Sequence, residues 1–159
     1  MRVRGYRAEL DEAWAEDLLA RRLGGRLQAR LGEVVDLLGL DGLVAEREPG
    51  GRLGIVLYRR EGDACELAAI VADRGQEGVG SGLVEGLRAL VGGWCSRIWL
   101  VTTNDNLDAL RFYQRRGFVI RALHAGAVNE ARRTLKASIP VTGGYGIPLR
   151  DEIELELRL

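Results

Sequence analysis

The feature that most constrains this 159-residue chain is a glycine-rich turn, residues 75–82, between an apolar segment and an amphipathic one. The apolar segment, Cys65–Val71, is predicted to be a buried strand, and residues 81–91 are predicted to be a helix. The helix has inward positions at Leu83, Val84, Leu87 and Leu90. The first amides of a helix have no intrahelical partner, and its dipole adds partial positive charge there. The turn therefore predicts a phosphate site at a helix start, with a tight turn that binds nothing as the alternative.

The spacing of the glycines separates the phosphate ligands that such a turn binds. A nucleoside-triphosphate loop requires GxxxxGK[ST], and no lysine lies near this turn. A dinucleotide fingerprint requires GxGxxG, but Leu83 or Glu85 stands where its third glycine belongs. What remains is G-x-x-G-x-G at Gly75, Gly78 and Gly80.

The other elements are predicted from hydrophobic periodicity and turn residues. Residues 27–47 show little pattern beyond a strand that begins at Leu43-Val44 and closes at Pro49-Gly50-Gly51. The remaining elements are a helix at 9–22, a strand at 53–58 that turns back at 61–63, a strand at 97–102, a helix at 106–116, a strand at 118–123, a helix at 127–136 and a strand at 152–159. This order predicts an α/β fold with a mixed, mostly antiparallel sheet flanked by helices.

Periodicity also predicts which sides of the outer elements are buried. The first helix is expected to bury Leu10, Trp14, Leu18 and Leu19. The last strand alternates strictly, with Ile153, Leu155, Leu157 and Leu159 predicted to face inward. Its carboxylates are predicted to line the solvated face, an acidic ligand patch being the alternative: Glu152, Glu154 and Glu156.

Length and composition narrow the class of protein. The length suits a single domain, 1–159. The 23 basic and 23 acidic residues cancel, which argues against a nucleic-acid partner, and the absence of an apolar run of about 20 residues argues against a membrane span. Cys65 and Cys95 lie far apart in a chain without a secretory signal, so we expect reduced thiols and a cytoplasmic protein. With His124 as the single histidine, no metal site is expected.

A second motif follows the next predicted strand. The segment Asn106-Leu-Asp-Ala109-Leu-Arg-Phe-Tyr113-Gln-Arg-Arg-Gly-Phe118 has the pattern N-x-x-A-x-x-x-Y-x-x-x-G-F. Together with the glycine turn, it resembles the GNAT superfamily of N-acetyltransferases, in which [QR]-x-x-G-x-[GA] precedes this pattern. The resemblance covers residues 66–118 and is of the bacterial type, with the substrate unassigned. One departure is Gly75, which stands where the family has Gln or Arg.

The resemblance implies the acyl-CoA N-acyltransferase fold and acetyl-CoA as the acyl donor. Backbone amides of the turn are then expected to bind the pyrophosphate, and the strand end at Ile70, Val71 and Ala72 to pair with the pantetheine arm. Asn106 is expected to bond that arm or to cap its own helix. The residues that the resemblance implies contact acetyl-CoA are Ile70, Val71, Ala72, Gly75, Gln76, Glu77, Gly78, Val79, Gly80, Ser81, Asn106 and Tyr113.

The implied reaction transfers acetyl to a primary amine by direct attack in a ternary complex. Tyr113 is the candidate acid for the leaving thiolate, and the alternative role is an aromatic anchor beside Phe112. Glu66 is the candidate base, because a carboxylate in a mostly apolar strand needs a reason; an ordinary surface glutamate is the alternative. Rival bases are Asp73, Asp105 and Asp151, and His124 is either a proton relay or structural.

Two other functions stay open from the sequence. A non-catalytic acyl-CoA-binding or sensory module would keep the glycine turn without a working acceptor site, and a small dinucleotide-binding domain is disfavoured by Leu83. The resemblance also allows a homodimer, because dimers are common among similar proteins. The acceptor is expected to contact residues 20–45 and 124–150, which carry no pattern that identifies an amine.

Overall fold

A computed structural model describes residues 1–49, 51–73 and 78–159 of the chain. These residues divide into two compact units. The first comprises Met1–Leu27, Asp36–Ile98 and Leu159, and the second comprises Gln28–Val35 and Trp99–Arg158.

The elements follow the chain in an order that alternates strands and helices after residue 64. In sequence they are β1 (Arg2–Gly5), α1 (Ala8–Leu23), β2 (Leu27–Arg30), β3 (Glu33–Asp36), a 3₁₀ turn (Leu37–Gly39), β4 (Asp41–Arg47), β5 (Gly51–Glu61), β6 (Ala64–Ala72), α2 (Val79–Val91), β7 (Arg97–Thr103), α3 (Leu107–Gln114), β8 (Val119–His124), α4 (Ala127–Thr134), a second 3₁₀ turn (Gly144–Gly146) and β9 (Glu152–Arg158).

The first unit is built on four antiparallel strands in the order β1-β4-β5-β6. Helix α2 packs on β4, β5 and β6. Its side chains Val79, Leu83, Val84, Leu87 and Val91 are all buried. The inward face predicted for α2 is confirmed except at Leu90, which is largely exposed.

In the second unit, β9 lies between β7 and β8, and it pairs antiparallel with β8. Helix α3 ends at Gln114, and Gly117, three residues later, has the φ of +90° expected of the left-handed stop predicted from the sequence. The chain therefore has the predicted mixed α/β fold with a mostly antiparallel sheet flanked by helices. Among the residues described, no helix is long and apolar enough to cross a bilayer.

The prediction that Leu10 faces the core is wrong, since the side chain is 50% exposed. Its neighbour Asp11 is buried in the first turn of α1 instead. The Asp11 carboxylate accepts hydrogen bonds from the guanidinium groups of Arg4 and Arg52 and from the Arg7 amide. Because these hydrogen bonds satisfy the Asp11 carboxylate, Asp11 is buried, and the adjacent Leu10 faces the solvent.

The prediction that the carboxylates of the last strand line a solvated face is also wrong. Glu152 and Glu156 are buried, whereas Leu159 is exposed. The Glu152 carboxylate accepts the Leu31 amide at 3.0 Å, and the Glu156 carboxylate lies 3.1 Å from both Arg121 and Arg158. Strict alternation predicts that one face of β9 is exposed to solvent. The hydrogen-bond partners of Glu152 and Glu156 allow these carboxylates to be buried instead.

Candidate active site

Strand β6 carries an extra residue near its centre. Leu57 of β5 pairs with Ala69 and Tyr58 pairs with Leu67, so Ala68 is left without a partner in the β5 register. Such a bulge bends its strand, disrupts the ladder locally and is common beside active sites.

Beyond the bulge, the predicted pantetheine-binding segment forms the end of β6. Ile70, Val71 and Ala72 stand opposite Val56, Ile55 and Gly54 of β5. A Cβ on Gly54 would come within 2.7 Å of the Val71 carbonyl and 2.8 Å of the Val79 side chain. Gly54 therefore lets β5 lie tightly against both the end of β6 and the start of α2.

The helix that follows begins in a way that suits an anion. Gly78 adopts a φ of +84° and precedes Val79, Gly80 and Ser81, the first residues of α2. In the part of the chain described, no side chain caps this helix and no acidic residue occupies its first turn. By contrast, α1 carries Glu9 and Asp11 in its first turn. The predicted contacts Gly75, Gln76 and Glu77 lie outside the described residues.

Glu66 is a buried carboxylate rather than a surface one, with 1% of the residue exposed. Its Oε2 lies 3.1 Å from Nη2 of Arg59, the residue directly opposite on β5. The ordinary-surface alternative is therefore wrong. The same guanidinium also contacts Glu61, so Glu66 shares its cation with a more exposed carboxylate.

The rival base Asp73 follows β6 and is partly exposed. Its Oδ1 lies 3.3 Å from Nη1 of Arg21 on α1, and its amide donates to the Leu53 carbonyl at 2.7 Å. These contacts tie the end of β6 to α1 and β5.

Tyr113 lies near the end of α3 with its ring between two other aromatic rings. The ring centroids of Phe112 and Phe118 are 5.1 Å and 5.3 Å away, both in edge-on geometry. Burial raises the pKa of the Tyr113 phenol well above its ordinary value. A phenol of ordinary pKa is already protonated at neutral pH, and the raised pKa holds that proton more tightly. The anchoring role is visible in the packing, and the two roles are compatible.

Asn106 is the N-cap of α3, because its side-chain oxygen accepts the Ala109 amide at 3.2 Å. The capping alternative predicted from the sequence is confirmed. Asn106 therefore lies at the start of the helix that carries Tyr113 two turns later.

The rival bases Asp105 and Asp151 hold the backbone of the second unit. Asp105 is buried and accepts the Thr103 hydroxyl and the Gly144 amide. Asp151 accepts the Gly126 amide at 2.8 Å. These hydrogen bonds give each carboxylate a structural role.

His124 ends β8 opposite Glu152 of β9. Its Nε2 is buried and has no hydrogen-bond partner among the described residues.

Two features of these units were missed in the sequence. The bulge at Ala68 has no sequence signal, since Ala68 sits in a continuous apolar run. The second feature is the segment 141–149, which is hydrogen-bonded to Asn104 and Asp105. Its cluster Gly143-Gly144-Tyr145-Gly146 is a turn signal that is visible in the sequence.

Comparison with protein families gives a match to the model described as "Acetyltransferase (GNAT) family" over residues 9–118. Among curated proteins, the chain is 39% identical over 115 residues to "Uncharacterized protein YdhI" of Bacillus subtilis (strain 168), covering 72% of this chain and 71% of that protein.

Solved structures extend the similarity of fold over the whole chain. An "IAA acetyltransferase" from Bacillus cereus ATCC 14579 has a TM-score of 0.74 at 18% identity and covers 99% of both chains. A GNAT family acetyltransferase from Elizabethkingia anophelis with acetyl-CoA bound has a TM-score of 0.70 at 15% identity, covering 99% of this chain and 97% of that one.

Proposed function

Because the chain belongs to the GNAT acetyltransferase family, we propose that it transfers acetyl from acetyl-CoA to a primary amine by direct attack in a ternary complex. The start of α2 carries this proposal. A glycine in the left-handed conformation leads into a helix that, among the residues described, has neither a side-chain cap nor a first-turn carboxylate, which suits a phosphate. A relative in fold has acetyl-CoA bound, which supports the same donor here.

Donor binding is assigned to two adjoining segments of the first unit. The amides of Val79, Gly80 and Ser81, with the neighbouring turn residues, would hold the pyrophosphate. The backbone of Ile70 to Ala72 would pair with the pantetheine amides, as an added strand does. Asn106 would add a side-chain contact to the pantetheine arm, beyond its capping role.

The chemistry needs a base for the amine and an acid for the thiolate. Glu66 is proposed to take the proton that the amine nitrogen loses when it bonds to the acetyl carbon. Tyr113 is proposed to give its phenolic proton to the sulfur as the carbon–sulfur bond breaks. Both side chains are buried away from bulk water, which supports their roles in proton transfer.

The cysteines support direct attack over an acyl-cysteine route. Cys65 and Cys95 are both free and buried. Burial and the neighbouring Cys95 raise the pKa of the Cys65 thiol to about 12, so the nucleophilic thiolate is scarce at neutral pH. Free thiols also accord with our proposal of a cytoplasmic protein.

The decisive experiment is Tyr113→Phe, assayed by thiol release from acetyl-CoA over a panel of amines. We expect kcat to fall roughly 100-fold, the usual contribution of a general acid, with acetyl-CoA affinity almost unchanged. Tyr6→Phe is the control, because the Tyr6 hydroxyl is buried and has no hydrogen-bond partner among the described residues. This control is expected to keep full activity.

Unchanged turnover in Tyr113→Phe would remove that residue as the acid. A different pattern supports the acyl-CoA-binding or sensory alternative. In that case the wild type releases no thiol with any amine, Glu66→Gln and Tyr113→Phe change nothing, and coenzyme A still stabilises the fold.

A further inference from the structure

The connection between α4 and β9 contains a small hairpin, residues 141–149. The Leu149 amide donates to the Val141 carbonyl at 2.9 Å, and the Gly143 amide donates to the Ile147 carbonyl at 2.8 Å. The hairpin thus has its own ladder of hydrogen bonds and a defined tip at Gly144–Gly146.

Tyr145 stands at the tip in an unusual conformation. Its φ of 58° and ψ of 20° are left-handed, a conformation that costs a side-chain-bearing residue about 1–2 kcal/mol. Glycines flank it on both sides, yet the tip position itself is a tyrosine with 69% of the residue exposed. Strained residues cluster at binding and catalytic sites, which makes Tyr145 a candidate for function.

The tip is tied to the segment that starts α3. The Gly144 amide donates to Oδ2 of the buried Asp105 at 2.7 Å, and the Tyr145 hydroxyl donates to Oδ1 of Asp108 at 2.7 Å. The backbone also lies hard against Asp105, since a Cβ on Gly143 would come within 2.1 Å of its Oδ2.

The base of the hairpin is held as firmly. The Asn104 side-chain oxygen accepts the Arg150 and Asp151 amides at 3.0 Å, and its nitrogen donates to the Pro148 carbonyl at 2.9 Å. From α4, the Arg132 guanidinium donates to the carbonyls of Ile139, Pro140 and Leu149. These bonds hold the hairpin in one position.

The residues that hold the hairpin adjoin residues assigned to the reaction. Asn104 and Asp105 immediately precede Asn106, and Asp108 lies in the first turn of the helix that carries Tyr113. Because the Tyr145 hydroxyl is hydrogen-bonded to Asp108, the ring is the part of Tyr145 that remains available to a ligand. A ring face binds flat or apolar groups by stacking and apolar contact.

We propose that the 141–149 hairpin is a preformed wall of the acceptor site and that Tyr145 selects the acceptor through its ring face. The inference rests on the proposed function. It assigns the acceptor to amines that carry an aromatic group, in preference to small aliphatic amines. Asp105 acts as a positioning residue for the wall.

The test compares aryl amines such as phenethylamine with small alkyl amines such as propylamine, using thiol release from acetyl-CoA. In Tyr145→Gly we expect KM to rise about tenfold for the aryl amines, the usual worth of an aromatic contact, with little change for the alkyl amines or acetyl-CoA. Glycine accepts the left-handed backbone, so this variant is expected to fold. Tyr145→Phe keeps the ring and is expected to keep the preference.

Val141→Ala is the control, because it removes another exposed apolar side chain from the base of the same hairpin. If the wild type acetylates amines and Tyr145→Gly keeps the aryl preference, the inference about Tyr145 is wrong and the proposed function stands. If no amine releases thiol, the proposed function fails, and binding of phenethylamine in the presence of coenzyme A is measured by calorimetry. Binding that is lost in Tyr145→Gly then supports the wall, and absence of binding to the wild type overturns it.

Discussion

At the scale of single residues, the two proposed catalytic groups lie in opposite environments. Glu66 is buried against the Arg59 guanidinium, and Tyr113 is buried among aromatic rings. The apolar surroundings of Tyr113 favour its neutral phenol and raise its pKa. These are the two positions that we propose as the proton acceptor and the proton donor of the reaction.

Asp11 is the residue whose charge contributes most clearly to stability. Burial alone would raise the pKa of its carboxyl, but hydrogen bonds from Arg4, the Arg7 amide and Arg52 outweigh burial and lower it well below the ordinary value. We expect Asp11→Asn to reduce the free energy of unfolding by about 3 kcal/mol, because the arginines lose a buried counter-charge. Urea unfolding at pH 7 measures the change.

The same group predicts how stability depends on pH. A lowered folded-state pKa means that the Asp11 contribution is fully present above the ordinary carboxyl pKa and is lost as the pH falls towards the folded value. The difference between wild type and Asp11→Asn should therefore shrink in acid. Glu9→Gln, an exposed change in the same turn of α1, is the control and should cost little. A pH-independent difference would contradict the assignment.

At the scale of elements, the close packing of β5, β6 and α2 positions the two segments that we propose bind acetyl-CoA. Gly54→Ala introduces a methyl group that meets the Val71 carbonyl and the Val79 side chain. We expect a loss of about 2 kcal/mol in unfolding free energy, as for other overpacked sites, together with weaker coenzyme A binding. Thermal unfolding and calorimetric titration measure the two effects.

Gly93→Ala provides the matched control, since a Cβ there meets nothing within 4 Å. Equal coenzyme A affinity in Gly54→Ala and Gly93→Ala would show that this junction does not position the donor.

Elements were predictable where a long pattern met a clear boundary. Helix α3 was expected at 106–116 and occupies Leu107–Gln114, because Asn106 caps it and Gly117 stops it. Strands β1, β2 and β3 were not predicted. Each has four residues, too few for a period-two pattern to stand out. Strand β1 also depends on the distant strand β4 for its pairing, whereas β2 and β3 pair with each other.

At the scale of the whole molecule, the choice among ligands is testable by their effect on unfolding. At a concentration 100 times its dissociation constant, a ligand that binds only the folded state stabilises it by about 2.7 kcal/mol. For a chain of this size that corresponds to a rise in Tm of roughly 5–10 °C. We expect acetyl-CoA and coenzyme A to give this rise and NAD and ATP to give none.

Adenosine diphosphate ribose is a useful control in the same experiment, because it carries a pyrophosphate without the pantetheine arm. A larger rise with NAD than with acetyl-CoA would contradict the proposed function and favour the dinucleotide alternative.

The sequence by itself determined the α/β class, the helix boundaries around Gly117 and the family motifs at Gly78, Gly80, Asn106 and Tyr113. These are local properties, set by periodicity, caps and turns within a few residues. The tertiary structure decided which polar side chains are buried. Glu66, Glu152 and Glu156 each lie inside only because a partner from another segment meets the carboxylate.

Tertiary contacts also decided the bulge at Ala68 and the tethered hairpin at Tyr145. A bulge is a relation between two strands, and the hairpin is held by Asn104, Asp105 and Asp108, more than 30 residues earlier in the chain. A pattern within one segment carries no information about such pairings, because their free energy belongs to contacts that form only when the chain has folded.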